Sequence, residues 1–480
     1  MTTSLARSQL RQFPTWMPVV LIAVWALVLS TALIWVPGYW NDEAATISMT
    51  TRPWSKFVST LSNVDIVHAA YYVIIRPWVE VFGTSTLSMR LPSAVAVATT
   101  SLALIKIGVI AFDRRVGYGA AVLYPAIPVS VWMAGEARSP ALSALLVALQ
   151  ILLAIMVCRG MLHIVGWIAL GLTTALCGCV FFFASLSTPA LLIFARTRRD
   201  VIRMAAALAA GTIPVVPIVF RGAGQKSQVS WISEISPGAT ARSMFESQYF
   251  MMSTVAAAMI WAIAIFGVVM MLRTGHRRAT LAVLAVIALP NAAFILAALA
   301  GSMSFYMPRY LAFTTPAVAM LLGMGATRFS RRMWNVAAVL MLAGLLAFSQ
   351  LAQRRDENSK SGWLYAEHAI RPLRGPGDAW ITYFHMSRAA VTYESLHMPL
   401  LNAGRGDDYA VFGDTGVRSI PEIDQAIKVV WYVPAVRSEQ VSMEWVPAEL
   451  NALRRQGFTV NLVAPQATVD KVSVYRAHRP

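Results

Sequence analysis

Apolar runs of about 17–25 residues recur along most of the chain, each long enough to cross the roughly 30 Å hydrocarbon core of a bilayer as a helix. Eleven spans are predicted, at 16–36, 91–112, 117–133, 139–157, 161–177, 180–195, 202–220, 251–272, 279–300, 308–326 and 334–350. The fifth and sixth are parted only by a short break around Gly178. The first run lies where a signal peptide would, but its length and the lack of a clear small-residue cleavage site predict a retained span. Loop 37–90 is too patterned to be a plain connector. Residues 53–61, with Trp54 and Phe57, read as a short interfacial helix. Residues 69–82, apolar and aromatic but interrupted by Arg76 and Pro77, read as a second.

Beyond residue 353 the pattern changes. Strands are predicted at 379–384, 428–433, 459–463 and 471–475, and helices at 387–396 and 442–456. This alternation predicts an α/β layered domain over 354–480, following a membrane unit over 1–353.

Composition agrees. The chain is 57% hydrophobic and 13% charged with a mean hydropathy of +0.59, where a soluble domain has about 25% charged residues. The net charge of +17 invites a nucleic-acid reading, and its distribution excludes one. Residues 1–353 carry 25 Lys/Arg against 9 Asp/Glu, and residues 354–480 carry 15 against 14. The excess belongs to the membrane part, where topology and anionic lipid account for it.

Arg7 and Arg11, Arg114 and Arg115, Arg159, Arg196 to Arg199, Arg273 to Arg278 and Arg328 to Arg332 mark short basic loops expected to be cytoplasmic. Loops 37–90, 134–138, 221–250 and 301–307, together with the C-terminal domain, are then extracytoplasmic in a multi-pass plasma-membrane protein. Cys158, Cys177 and Cys179 lie in or beside spans, so no disulfide framework is expected.

The candidate chemistry clusters in the first external loop, because carboxylates beside a bilayer are costly unless used. Asp42 and Glu43 follow the first span directly. Either can act as a general base toward a hydroxyl, or one can cap a helix while the other is solvated. Adjacent helical positions point about 100° apart, so one of the two is expected to face a given pocket. Asp65 and His68, three apart, share a face if helical. They could bind a metal, orient a sugar, relay a proton or pack at the interface, and no further His, Asp or Glu at ligand spacing supports the metal. Glu136 and Arg138 form either a local ion pair or part of a site. Arg309, beside Tyr310, can bind phosphate in bidentate fashion or meet a lipid headgroup. Lys226 and Trp231 sit in a polar external loop suited to a headgroup or a sugar.

The ordered set Trp40-Asn41-Asp42-Glu43-Ala44, Asn63-Val64-Asp65-Ile66-Val67-His68 with Tyr71-Tyr72, Phe82-Gly83 through Arg90-Leu91-Pro92-Ser93, Glu136-Ala137-Arg138 and Pro308-Arg309-Tyr310 resembles the C-type (GT-C) integral-membrane glycosyltransferases. The resemblance is to the protein-mannosyltransferase-like branch of actinobacterial cell envelopes and covers about residues 16–350. Where many relatives continue His-Pro-Pro or His-Gly, this chain has His68-Ala69-Ala70.

The resemblance implies a polyprenyl-phosphate sugar donor and catalysis at the outer membrane face, read here as inverting transfer to a glycolipid or glycan acceptor; no metal or other cofactor is expected, because no ligand spacing accompanies the candidate residues. Asp42 is the implied base, with Glu43 second. Asp65 and His68 would orient the acceptor, with Tyr72, Arg90, Glu136, Lys226, Trp231 and Tyr310 also placed around substrate. Arg138 or Arg309 would stabilise the departing lipid phosphate. Mannose is the expected sugar and arabinofuranose the runner-up. The rivals of another class are a lipid or polysaccharide transporter or flippase, for which no repeat of spans is found, and an envelope-assembly protein without activity.

Overall fold

The computed structural model describes residues 16–225, 236–300, 306–356, 360, 362–382, 398–401, 420–434, 444–466 and 472–480. After α1 (Met17–Thr31), three short helices fill the first loop: α2 (Asn41–Thr51), α3 (Trp54–Asn63) and α4 (Ala69–Phe82). The helical body follows as α5 (Thr86–Ala111), α6 (Arg114–Leu123), α7 (Pro128–Ala134), α8 (Pro140–Cys158), α9 (Ile164–Val180), α10 (Arg198–Thr212) and α11 (Val216–Gly224). It ends with α12 (Pro237–Glu246), α13 (Thr254–Arg273), α14 (Arg277–Leu299), α15 (Thr315–Ala326) and α16 (Arg332–Gln353).

Five described helices are long and apolar enough to cross a membrane, counting α10 with α11 as one. A sixth is the α6–α7 pair, bent by 62°. The bend falls where Pro125 and Pro128 remove backbone donors and a 3-10 turn, Tyr124–Ala126, replaces the α-helix. The other predicted spans fall on shorter apolar helices. The predicted break at Gly178 lies instead at Phe181, whose extended backbone ends α9. The segment beyond it, Phe182–Phe194, is 3-10 throughout with Pro189 inside. The predicted tenth span likewise opens as a 3-10 turn, Pro308–Thr314, before α15.

Helices in an apolar solvent associate through close backbone approach. A Cβ on Gly108 of α5 would fall 2.1 Å from the Cα of Gly117 of α6, so only glycine permits this crossing. At the same end of α6, Asp113 caps the helix by accepting from the Val116 N–H at 3.0 Å and pairs with Arg328 at 2.7 Å.

The first-loop helices form a layer with their own apolar cluster, built from Ala45, Ile47, Phe57, Leu61, Tyr71, Tyr72, Ile75, Met89 and Ala137. Helices are present at both places where the sequence predicts them. α2, which carries the acidic pair, was legible only as a motif.

The C-terminal part folds around a four-stranded sheet of order β1-β2-β4-β3, formed by β1 (Ala379–Ile381), β2 (Val429–Tyr432), β3 (Thr459–Ala464) and β4 (Val474–His478). β1 and β2 run parallel, and β4 runs antiparallel to both β2 and β3. The helices Trp363–Ile370 and Val446–Arg455 accompany the sheet. The last strand lies three residues later than the sequence pattern predicts. The predicted helix at 387–396 lies outside the described residues. Trp363, Trp380 and Trp431 are fully buried here, and the Trp431 indole donates to Asp378 Oδ2 at 2.8 Å.

Candidate active site

The first turn of α2 divides the charges into two networks. Asp42 and Glu43 are adjacent on a helix, so their side chains diverge, and each enters a different one. Neither is left as a bare cap or a solvated charge.

Glu43 points inward and is fully buried. Arg90 Nε donates to its Oε1 and Arg90 Nη2 to its Oε2, each at 2.7 Å, and the Ala137 N–H adds a third bond at 3.1 Å. Arg90 spends its remaining donors on the Ile34, Pro37 and Gly38 carbonyls. The arginine expected to touch substrate is therefore enclosed, with each of its nitrogens bonded within the protein, and the second candidate base is enclosed with it. Burial alone would raise the Glu43 pKa, but Arg90, Lys360 and the Ala137 amide outweigh it and hold the carboxyl below its usual range.

Glu136 joins this inner network rather than pairing with Arg138. It lies in the tight turn after α7. Its Oε2 accepts from the Trp40 indole at 2.6 Å and its Oε1 from Lys360 Nζ at 2.6 Å. Its backbone carbonyl accepts from Ser93. Burial, together with the Glu43 charge, pushes the Glu136 carboxyl up to about 7 against the pull of Lys360 and Arg90.

Asp42 points the other way, with about a quarter of its side chain exposed. Arg309, at the start of the 3-10 turn Pro308–Thr314, comes within 3.5 Å of Asp42 Oδ2. Its guanidinium lies 5.2 Å from the Trp40 ring and 5.9 Å from the Tyr310 ring, which fix its plane by cation–π contact.

Asp65, His68, Tyr72 and Arg138 form the second half of the outer network. Asp65 takes the left-handed backbone conformation (φ 61°) and precedes a single 3-10 turn, Ile66–His68. A non-glycine residue there is held by its surroundings. The Ile66 N–H donates to Gln225 Oε1 at 3.0 Å, and Gln225 Nε2 donates to the Leu61 carbonyl at 3.0 Å, so the end of α11 closes the loop. The Tyr72 hydroxyl donates to Asp65 Oδ2 and accepts from Arg138. Arg138 also lies 3.8 Å and His68 Nε2 3.9 Å from Asp65.

The His68 ring stacks on Phe181 at 6.4 Å. Burial and the neighbouring Arg138 lower its pKa to about 4, although Asp65 and Asp42 pull the other way. It is neutral at physiological pH.

An accessible carboxylate facing an accessible guanidinium, backed by a second carboxylate–arginine pair, suits removal of a proton from a hydroxyl beside a developing anion. Lys226 and Trp231 lie outside the described residues. Sequence reasoning missed Lys360 and Gln225, which reach the site from segments distant along the chain, and Phe181, which reads only as part of an aromatic run.

No family model matches the chain, and no curated protein matches it. Solved structures do. ArnT from Cupriavidus metallidurans in the apo state superposes with a TM-score of 0.59 at 14% identity, covering 95% of this chain and 97% of that one. The same protein bound to undecaprenyl phosphate gives 0.59 at 14% identity, over 96% and 98%. The oligosaccharyltransferase of Archaeoglobus fulgidus in complex with Zn and sulfate gives 0.52 at 12% identity, over 93% of this chain and 72% of that one. The fold is that of the GT-C integral-membrane glycosyltransferases. The sequence resemblance to that fold class therefore holds, and the mannosyltransferase branch within it is not distinguished.

Proposed function

We propose that this protein is a glycosyltransferase that moves a sugar from a polyprenyl-phosphate donor to a hydroxyl of a glycolipid or glycan acceptor, at the extracytoplasmic face of the plasma membrane. The observation that carries the reading is the Asp42–Arg309 pair. It joins a reachable carboxylate to a reachable guanidinium 3.5 Å away, on a fold that ArnT from Cupriavidus metallidurans uses to bind undecaprenyl phosphate.

Asp42 takes the proton of the acceptor hydroxyl as its oxygen attacks the anomeric carbon. The bond from that carbon to the phosphate oxygen breaks on the opposite face, inverting the centre. The polyprenyl phosphate departs with the electron pair, stabilised by Arg309 and by Arg138. Asp65, His68, Tyr72 and Tyr310 orient the reactants, with His68 acting as a neutral ring. Lys226 and Trp231 are proposed from the sequence as further substrate-binding residues.

Glu43, Arg90 and Glu136 act as the buried frame behind Asp42 rather than as substrate contacts, because their polar atoms are already engaged. The N-terminus is cytoplasmic and the α/β domain extracytoplasmic, as the basic loops direct. Membrane lipid is a partner and nucleic acid is not. Mannose is the proposed sugar, with arabinofuranose second.

The test is transfer of radiolabel from polyprenyl-phosphate mannose to envelope lipids in membranes, comparing wild type with Asp42→Asn. Labelled product that vanishes in Asp42→Asn at equal protein level supports both donor and base. A wild type that transfers arabinose alone replaces the sugar. One that transfers neither overturns the reading.

A further inference from the structure

Lys360 belongs to the segment that follows α16, far along the chain from every motif of the site, yet its ammonium lies inside the inner network. Nζ donates to Glu136 Oε1 at 2.6 Å and to the Gly135 carbonyl, and lies 3.6 Å from Glu43 Oε2. Two buried carboxylates thus stand in direct contact with two cations, Arg90 and Lys360, while Arg354 lies farther off with its guanidinium on the Leu29, Ala32 and Val131 carbonyls. Arg90 is committed to Glu43 through a bidentate fork, so Lys360 is the cation that balances Glu136. Glu136 in turn anchors the Trp40 indole through its other oxygen, and the Trp40 ring carries the Arg309 guanidinium that faces Asp42. Behind Trp40 lies a cavity of about 270 Å³, lined also by Trp132, Gly135, Glu136, Arg354 and Lys360. A Trp40 released from Glu136 has room to move into it.

We infer that Lys360 is a positioning residue for the proposed transfer: its ammonium fixes Glu136 as the anchor of Trp40, which sets Arg309 against Asp42, so that the segment beyond the last apolar helix completes the site. The inference rests on the function proposed above. A hydrogen bond to a carboxylate is about twice as strong as one to a neutral acceptor, so the anchor weakens once Glu136 takes a proton. The charges facing Glu136 are Lys360, Glu43, Arg90 and Arg354, with Trp40 and Tyr71 as uncharged neighbours. Glu136 already titrates near pH 7. Without Lys360 it stays protonated to higher pH.

The experiment compares wild type, Lys360→Arg, Lys360→Met and the double variant Lys360→Met with Glu136→Gln, each as the full chain in detergent. Transfer is measured from about pH 5.5 to 8.5, and thermal unfolding is followed over the same range. Lys360→Met is expected to lose roughly tenfold or more in kcat with donor KM within about threefold, and to shift the acid limb of its rate profile upward. Lys360→Arg is expected to retain both values.

Unfolding supplies a readout free of activity. A carboxyl with a raised folded pKa gives stability that is present at low pH and lost as pH rises through that pKa. The gap between wild type and Lys360→Met should therefore widen from about pH 6 to 8, and Glu136→Gln should abolish its pH dependence. Unchanged kcat and acid limb in Lys360→Met overturn the positioning role. A stability gap that does not vary with pH overturns the Lys360–Glu136 pairing. A wild type without transfer overturns the reading of the site and the positioning role with it, and the unfolding comparison still decides whether the pair exists.

Discussion

Arg90 holds both carboxylate oxygens of Glu43 at 2.7 Å, with neither side chain reaching solvent. Leaving one member of such a pair alone in a dry interior costs ~3–5 kcal/mol, whereas replacing both by apolar groups of similar volume is often tolerated. Glu43→Gln and Arg90→Met should each lower the thermal unfolding temperature and the yield of folded protein. Arg90→Met combined with Glu43→Leu should recover part of the loss. Fluorescence-detected size exclusion after heating reads this without any assay of transfer. A Glu43→Gln protein as stable as wild type would show that the carboxylate is not part of the frame.

Asp42 and Arg309 should separate kinetically. Asp42→Asn keeps the shape and one acceptor oxygen but removes the base, and general-base catalysis is worth about 10²–10⁴-fold. The expected result is a loss of that order in kcat with donor KM little changed and unfolding temperature held. Arg309→Lys keeps the charge but loses the planar fork and the stacking on Trp40 and Tyr310. It should lose about 10–100-fold in kcat/KM, because a point charge stabilises the departing phosphate less well. Equal activity of Arg309→Lys and wild type would move the phosphate contact to Arg138.

Metal removal tests whether the outer carboxylates act as metal ligands. Here Asp42 faces Arg309 and Asp65 faces Arg138 and Tyr72, so each outer carboxylate already has a cation beside it. Transfer is expected to persist after dialysis against EDTA and to be unchanged by added divalent ions. Loss of activity with EDTA and its return with one metal would make Asp42 and Asp65 ligands.

The helical body was legible because hydrophobic length alone specifies spans, and helices α3 and α4 because aromatic and apolar residues cluster within so few positions. The motif residues were legible as chemistry, but which network each joins was not. Asp42 and Glu43 look equivalent in one dimension, and only the approach of Arg90 from one side and Arg309 from the other separates them. Lys360 carried no local signal at all, since its partners lie more than two hundred residues earlier in the chain. The displaced break at Phe181 and the α6–α7 bend follow from prolines and 3-10 turns that interrupt helices without changing hydropathy.

The pH dependence of stability should expose His68. Its folded pKa of about 4 lies below the ordinary histidine value of 6.5. Between those values the unfolded chain binds more protons than the folded one, so stability falls as pH drops through this window. Glu136 acts in the opposite sense, because its carboxyl is raised from 4.5 to about 7 and its contribution is lost as pH rises through that range. In the wild type the two slopes oppose each other across about pH 4.5–6.5, giving a shallow profile. His68→Gln removes one slope and leaves the other, so its unfolding temperature, relative to wild type, should rise steadily from about pH 6.5 toward pH 5. Glu136→Gln should tilt the profile the opposite way, losing stability on acidification. Thermal unfolding of the three proteins at half-unit pH intervals checks both signs. Parallel profiles for wild type and His68→Gln would mean that His68 titrates as an ordinary exposed imidazole and that its ring is not enclosed against Phe181 and Arg138.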